Sequence, residues 1–108
     1  MKGDLQMAAV RYSSFAEFYP YYLTQHDNRL CRRAHFIGTS SGIAAIAQYL
    51  DSLNAWWLLF ALVSGYGGAW IGHFVYEKNR PASFGNPWWS FRADWVMYWQ
   101  MLTGKLSW

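Results

Sequence analysis

Between Ala34 and Tyr76 the chain carries one acid or base other than histidine, Asp51, and all nine lysines and arginines lie outside that window. An uncharged stretch of this length has to leave water, either in a bilayer or in a protein core. Asp51 sits in LDSLN, the one polar break, and splits the window into two halves. Each half, extended to its flanking charges, offers about 20 residues, which at ~1.5 Å per residue reach across ~30 Å of hydrocarbon. The pattern predicts an all-α, integral membrane helical hairpin. Its first span runs over about 29–50 with Asn28 as N-cap, and its second over about 55–77. The first span is the more polar, with Thr39, Ser40, Ser41 and Gln48 inside it, and its small residues admit a close helix neighbour. The second, AWWLLFALVSGYGGAWIGHFVY, is more apolar. Its glycines at 65, 67, 68 and 72 include a small-xxx-small pair, Gly68 and Gly72, and leave it open to a break into two shorter segments.

Composition weighs against the other option, a soluble bundle with an oily core. Hydrophobic residues make up 54%, aromatics 21% and charged residues 14%, against about 25% charged in ordinary globular chains. A domain of 108 residues has little polar surface with which to cover that much tryptophan and phenylalanine. The mean hydropathy of −0.08 is pulled down by eight tryptophans and eight tyrosines, residues that membrane interfaces favour. The single cysteine, Cys31, excludes an internal disulfide. The first 30 residues hold acids, tyrosines and a proline rather than an apolar core, so no cleavable signal peptide is expected. Arg29, Arg32 and Arg33 stand before the first span, Lys78 and Arg80 after the second, and the Asp51 turn has no basic residue. The positive-inside rule then puts both termini in the cytosol, and His26, His35 and His73 fall at one membrane face.

The flanks read as amphipathic helices of a single membrane domain, 1–108. Over about 14–25, Phe15, Phe18, Tyr19, Tyr22 and Leu23 recur at helical spacing. Ser14 and Glu17 there form a capping-box pattern, and Pro20 predicts a kink. The segment from Arg80 to Trp89 reads as a loop. Over about 88–103, Trp88, Phe91, Trp95, Tyr98 or Trp99, and Leu102 form a stripe suited to the headgroup layer or to packing on the hairpin.

Residues four apart share a helix face, so His73 and Glu77 can reach one point. His35 falls in the second turn of the first helix, level with His73 in an antiparallel hairpin, and His26 lies just upstream. Two imidazoles and a carboxylate suit non-haem ferrous iron and leave positions open for oxygen and substrate. Ionisable groups inside a membrane are costly and mark functional sites. The competing reading makes the histidines structural and pairs Glu77 with Arg80 or Arg33. Arg29, Arg32 and Arg33 read as headgroup anchors, one of which can fork onto a fatty-acid carboxylate.

Two segments carry a resemblance: FYPYYLTQHDNRLCRRAHFIGTS, and GYGGAWIGHFVYEKNRPASFGNPWWSFRADWVMYWQMLTGKL. With their motifs QHxNxxCRRxHFxG and GHxxxEKNRPAxF, they make the chain similar, from Phe15 to Leu106, to the 2-hydroxy-fatty-acid dioxygenase-like family of small membrane proteins. The resemblance implies Fe(2+) held by His26, His35 and His73. Glu77 would be catalytic, and Asn28, Arg33 and Arg80 would support the metal or the substrate carboxylate. It further implies oxygenative C1–C2 cleavage that shortens a 2-hydroxy fatty acid by one carbon, with the acyl tail lying among Phe36, Trp70 and Phe74. The compact length is typical of bacterial relatives and implies the inner membrane.

The alternative function is a non-enzymatic membrane scaffold or lipid-binding subunit. A di-iron histidine-box enzyme is excluded, because such sites need about eight histidines. Nucleic-acid binding is not expected, since the basic residues follow a membrane edge. The glycine-rich face predicts a homodimer.

Overall fold

A computed structural model describes residues 12–80 and 85–108, and among these every regular element is helical. Helix α1 spans Phe15–Thr24, α2 Arg29–Ser52, α3 Trp56–Ile71 and α4 Pro87–Leu102, with a π-helical segment, Gly72–Glu77, continuing α3 without interruption. Part of the expected Arg80–Trp89 loop, 81–84, lies outside the described residues.

The helix starts follow from local chemistry. Ser14 caps α1 by accepting the Glu17 N–H at 3.2 Å. Glu17 gives its carboxylate to the Ser13 hydroxyl at 2.9 Å. The helix runs on through Pro20 to Thr24. Asn28 caps α2 by accepting the Leu30 N–H at 2.8 Å. The α2–α3 turn closes on the polar break: Ser52 Oγ accepts from the Asn54 N–H, and Asn54 Oδ1 accepts from the Trp56 N–H.

Helices α2 and α3 form an antiparallel hairpin whose seam is backbone against backbone. A Cβ built on Gly38 would lie 2.5 Å from the Ser64 carbonyl oxygen, and one on Gly68 would lie 2.6 Å from that of Ala34. A Cβ on Gly72 would meet Cys31 Sγ at 2.9 Å. Any side chain at these three positions would force the helices apart. The glycines that suggested dimerisation, Gly68 and Gly72, are therefore used inside the chain. Nor do glycines 65, 67 and 68 break the second rod. It stays α-helical past them, and the geometry changes only at Gly72.

The side-chain core lies elsewhere, between α1 and α4, where Phe18, Tyr21 and Tyr22 meet Ala93, Met97 and Met101. Full burial of one such large side chain contributes about 1.5–3 kcal/mol. Tyr19 adds a hydroxyl hydrogen bond to Gln100 Oε1 at 2.5 Å. This core orients α4 in an informative way. Its small residues Ser90 and Ala93 and its methionines face inward, while Trp88, Phe91, Trp95, Trp99 and Leu102 are exposed. Trp88, Trp99 and Leu102 thus lie on the outer face of α4, while Phe91 and Trp95 border a groove against the hairpin, and none of them joins the α1–α4 core. The rod Trp56–Glu77 is long and apolar enough to cross a membrane, and only 11% of its apolar window is buried inside the protein. Among the described residues it is the one helix that meets that standard.

Candidate metal centre

Three elements deliver the three histidines. His26 stands in the turn after α1, His35 in the second turn of α2, and His73 at the start of the π segment. All three are buried, and their ring centroids are 4.4–5.1 Å apart. The antiparallel hairpin sets His35 and His73 at one depth. Arg32 fixes the turn that carries His26: one guanidinium nitrogen donates to the carbonyls of His26 and Asp27, both at 3.0 Å.

Hydrogen bonding fixes which ring nitrogens are available. His26 Nδ1 is 2.7 Å from the Tyr22 carbonyl oxygen, which only accepts, so the proton is on Nδ1 and Nε2 keeps its lone pair. His73 Nδ1 is 2.7 Å from Asn79 Oδ1. The Asn79 amide nitrogen donates to the carbonyl and the side-chain oxygen of Gln25, so its oxygen faces His73 and accepts. His73 therefore also carries its proton on Nδ1. Each of these two imidazoles is aimed by a backbone or amide oxygen, the usual outer support of a metal-binding histidine. The π segment makes this support reachable. Its wide turn ends at Lys78 in the left-handed region (φ 57°), and the Asn79 N–H closes on the His73 carbonyl at 3.0 Å. Single π turns of this kind recur at functional sites.

The His26 and His35 Nε2 atoms face each other at 3.1 Å. Two nitrogens bound at right angles to one ion with ~2.1 Å bonds are ~3.0 Å apart, so this spacing fits shared coordination. Without an ion the same contact is a hydrogen bond, with the proton on His35. Cys31 Sγ joins the group, and the ligand atoms of His26, Cys31, His35 and His73 all lie within 4.8 Å of one another. The donor set is three imidazoles and one thiol, which suits a borderline transition metal rather than magnesium or calcium.

Burial holds the His26 imidazole well below its usual proton affinity, and the neighbouring His35 and His73 rings push the same way. Both effects keep it neutral, the form that binds metal. The Tyr22 ring stacks on His26 with centroids 3.9 Å apart, and its hydroxyl donates to Asp94 Oδ1. Burial pushes the Asp94 carboxyl up to about 6, against the lowering effect of that hydrogen bond.

The other expected site residues sit differently. Glu77 is outside the convergent group. Its carboxylate accepts the Asn28 N–H and so ties the end of the π segment to the start of α2. Asn28, besides capping α2, reaches the Tyr76 carbonyl through its side-chain amide at 3.4 Å. Arg33 donates from Nε to the Trp108 carbonyl oxygen at 2.7 Å and lies over the Trp108 ring. Arg80 is half-buried, one residue past Asn79.

The cluster closes one end of a groove of about 600 Å³. Tyr22, Ser90 and Asp94 share the polar end with the histidines, and apart from Thr39 and Tyr66 the remainder is walled by apolar residues of α2, α3 and α4. Trp70 lines it, as expected for an acyl tail. Phe36 instead stacks on Tyr98, and Phe74 is exposed. The Ser90 hydroxyl is buried with no hydrogen-bond partner. Sequence reasoning passed over Cys31, Asn79, Ser90 and Asp94. Two signals were present: Cys31 precedes His35 by four residues, and Ser90 precedes Asp94 by four, the spacing that brought His73 and Glu77 to notice. Asn79 gave none, because its reach depends on the π turn.

No curated protein and no solved structure matches the chain. A family model described as 2-hydroxy-palmitic acid dioxygenase Mpo1-like matches residues 12–106. That match takes in all four helices, the three histidines and Cys31, and with it the chain belongs to the Mpo1-like family.

Proposed function

We propose that the protein is a membrane-embedded, ferrous-iron-dependent dioxygenase that shortens 2-hydroxy fatty acids, or a related hydroxylated lipid, by one carbon. The observation that carries this reading is the convergence of three buried imidazoles at the closed end of an apolar groove. The family description supplies the class of reaction and substrate. His26, His35 and His73 would hold the iron, with Cys31 beside them. The chemistry that iron supplies when bound is the activation of dioxygen for C1–C2 cleavage. The balance is a 2-hydroxy acid and dioxygen in, and the acid one carbon shorter, carbon dioxide and water out.

The chain's own residues orient and shield. Tyr22 and Asn79 keep the Nδ1 protons of His26 and His73 in place, so the Nε2 lone pairs point inward. The Ser90 hydroxyl donates to the polar head of the substrate, the partner it lacks within the protein. Arg33 and Arg80, at the same end of the hairpin, supply positive charge for the carboxylate. The apolar walls exclude water from the acyl tail.

In this reading α2 also crosses the bilayer. Ile37, Ile43, Ile46 and Leu50 are exposed on α2, and a glycine seam is how helices associate where no hydrophobic drive exists between them. The molecule is 44 Å long, close to the ~40–45 Å of a bilayer with its headgroups. The basic residues at the two ends of the hairpin support an orientation with both termini cytosolic, and the compact form suits a bacterial inner membrane.

The test is anaerobic loading of purified protein with ferrous iron, then oxygen and 2-hydroxy acids, with products read by mass spectrometry. The shortened acid and carbon dioxide are expected. Their absence across all chain lengths, in protein that holds iron, would contradict the reading and favour a lipid-binding scaffold.

A further inference from the structure

Two glycines of α3 have no role in helix packing. A Cβ at Gly65 or at Gly67 would meet nothing within 4 Å. Glycine is a poorer helix former than alanine, so neither position is explained by the hairpin. They differ in one respect: Gly65 lines the groove that begins at the histidines, and Gly67 does not.

The position of Gly65 along the groove is informative. It lies eight residues before His73, about 12 Å along the helix axis. On the opposite wall Gly42 lies seven residues after His35, about 10 Å along. At this waist Thr39 and Ile43 of α2 and Tyr66 of α3 line the groove, and Gly65 leaves the space beside them open. Gly42 is accounted for by its neighbour, because a Cβ there would lie 3.3 Å from the Ala61 carbonyl oxygen. Gly65 has no such neighbour. Beyond this waist the groove continues between Ile46, Leu58 and Leu62.

Resting on the function proposed above, we infer that Gly65 sets the length of acyl chain the protein accepts. The missing side chain leaves the waist open, so the tail of a long 2-hydroxy acid passes it into the far half of the groove. A leucine at 65 fills the waist and confines the tail to the near half, between the waist and the histidines. Long acids lose the far contacts, while short acids, which never reach the waist, are unaffected. Excluding just two methylenes from an apolar wall weakens binding about tenfold.

The experiment compares wild type with Gly65→Ala, Gly65→Leu and Gly67→Leu on 2-hydroxyoctanoic and 2-hydroxypalmitic acids. Two readouts are taken: turnover by iron-loaded protein, and binding measured as competition against a brominated fatty acid that quenches Trp70 and Trp95 in the groove. For Gly65→Leu we expect 2-hydroxypalmitate to lose at least about tenfold in both readouts, with 2-hydroxyoctanoate within about twofold. Gly65→Ala should fall between it and wild type, and Gly67→Leu should keep the wild-type profile. If wild type handles both acids and Gly65→Leu keeps the same ratio between them, the inference is wrong and the proposed function stands. The inference is equally wrong if Gly67→Leu shifts the ratio as much as Gly65→Leu. If wild type neither turns over nor binds either acid, the proposed function fails and the inference with it.

Discussion

His26 Nε2 faces His35 Nε2 at 3.1 Å, while His26 Nδ1 is already held by the Tyr22 carbonyl. The contact satisfies two neutral rings only if His35 supplies the proton. With one ion between them, no proton is needed at either atom. A third ring, His73, presents its own Nε2 lone pair to the same space because Asn79 occupies its Nδ1.

Asn79→Ala removes the acceptor that orients His73 and leaves every metal-binding atom in place. Loss of such an outer partner weakens metal binding by about 10–100-fold. Competition against a calibrated chelator should show that drop, with the helical circular dichroism signal unchanged. Full affinity in the variant would mean that the π turn alone fixes the ring.

The hairpin seam predicts opposite outcomes for two glycines on one helix. Gly68→Val must push its side chain into the Ala34 carbonyl and the Gly38 backbone. Overpacking of this kind costs about 1–3 kcal/mol, and a backbone wall gives way less easily than a side chain. Gly67→Ala meets open space and should be neutral or stabilising by up to about 1 kcal/mol. Denaturation in mixed micelles separates the two.

How much of this the sequence disclosed varies by residue. The depth match of His35 and His73 was legible, since one polar break and two apolar runs force an antiparallel pair of rods. The Asn28 and Ser14 caps were legible because capping is a local interaction. The aromatic stripe of α4 was legible as a stripe but not in its direction. Periodicity gives a face, and only the α1 partner shows that small residues and methionine face inward. Glu77 was misleading for a different reason. The i,i+4 rule presumes α geometry, and from Gly72 the helix is π. There Glu77 braces the Asn28 N–H, while Asn79, beyond the helix end, turns back to His73.

Ser90→Ala should act in two directions. The buried hydroxyl has no partner in the protein, so its removal leaves the substrate-free protein as stable as before or slightly more so. A 2-hydroxy acid that uses it loses one hydrogen bond, about 0.5–1.5 kcal/mol, or roughly two- to twelvefold in affinity. Thermal unfolding and ligand competition on one sample check both. Unchanged affinity would remove Ser90 from the substrate contact.

Acid and base act on separate groups in the metal-free protein. His26 has a lowered folded value, so its contribution is fully present above about pH 6.5 and is lost as pH falls below it. Asp94 runs the other way, with a folded value of about 6 against an ordinary 3.8. Its contribution is present at low pH and lost as pH rises through about 6. Asp94→Asn keeps an acceptor for the Tyr22 hydroxyl and abolishes that second branch. The variant should be more stable than wild type by up to about 3 kcal/mol near pH 8 and equal to it near pH 3.5. Parallel stability curves across that range would show that Asp94 does not titrate there.

Metal content settles the central claim most directly. Purified protein, stripped with chelator and reloaded anaerobically with ferrous iron, is desalted and assayed for bound metal alongside His73→Ala, with circular dichroism as the check on folding. We predict one tightly held ion per wild-type chain and loss of that ion in the helical, folded variant. Equal iron in the two proteins, or none in either, would contradict a centre built from His26, His35 and His73.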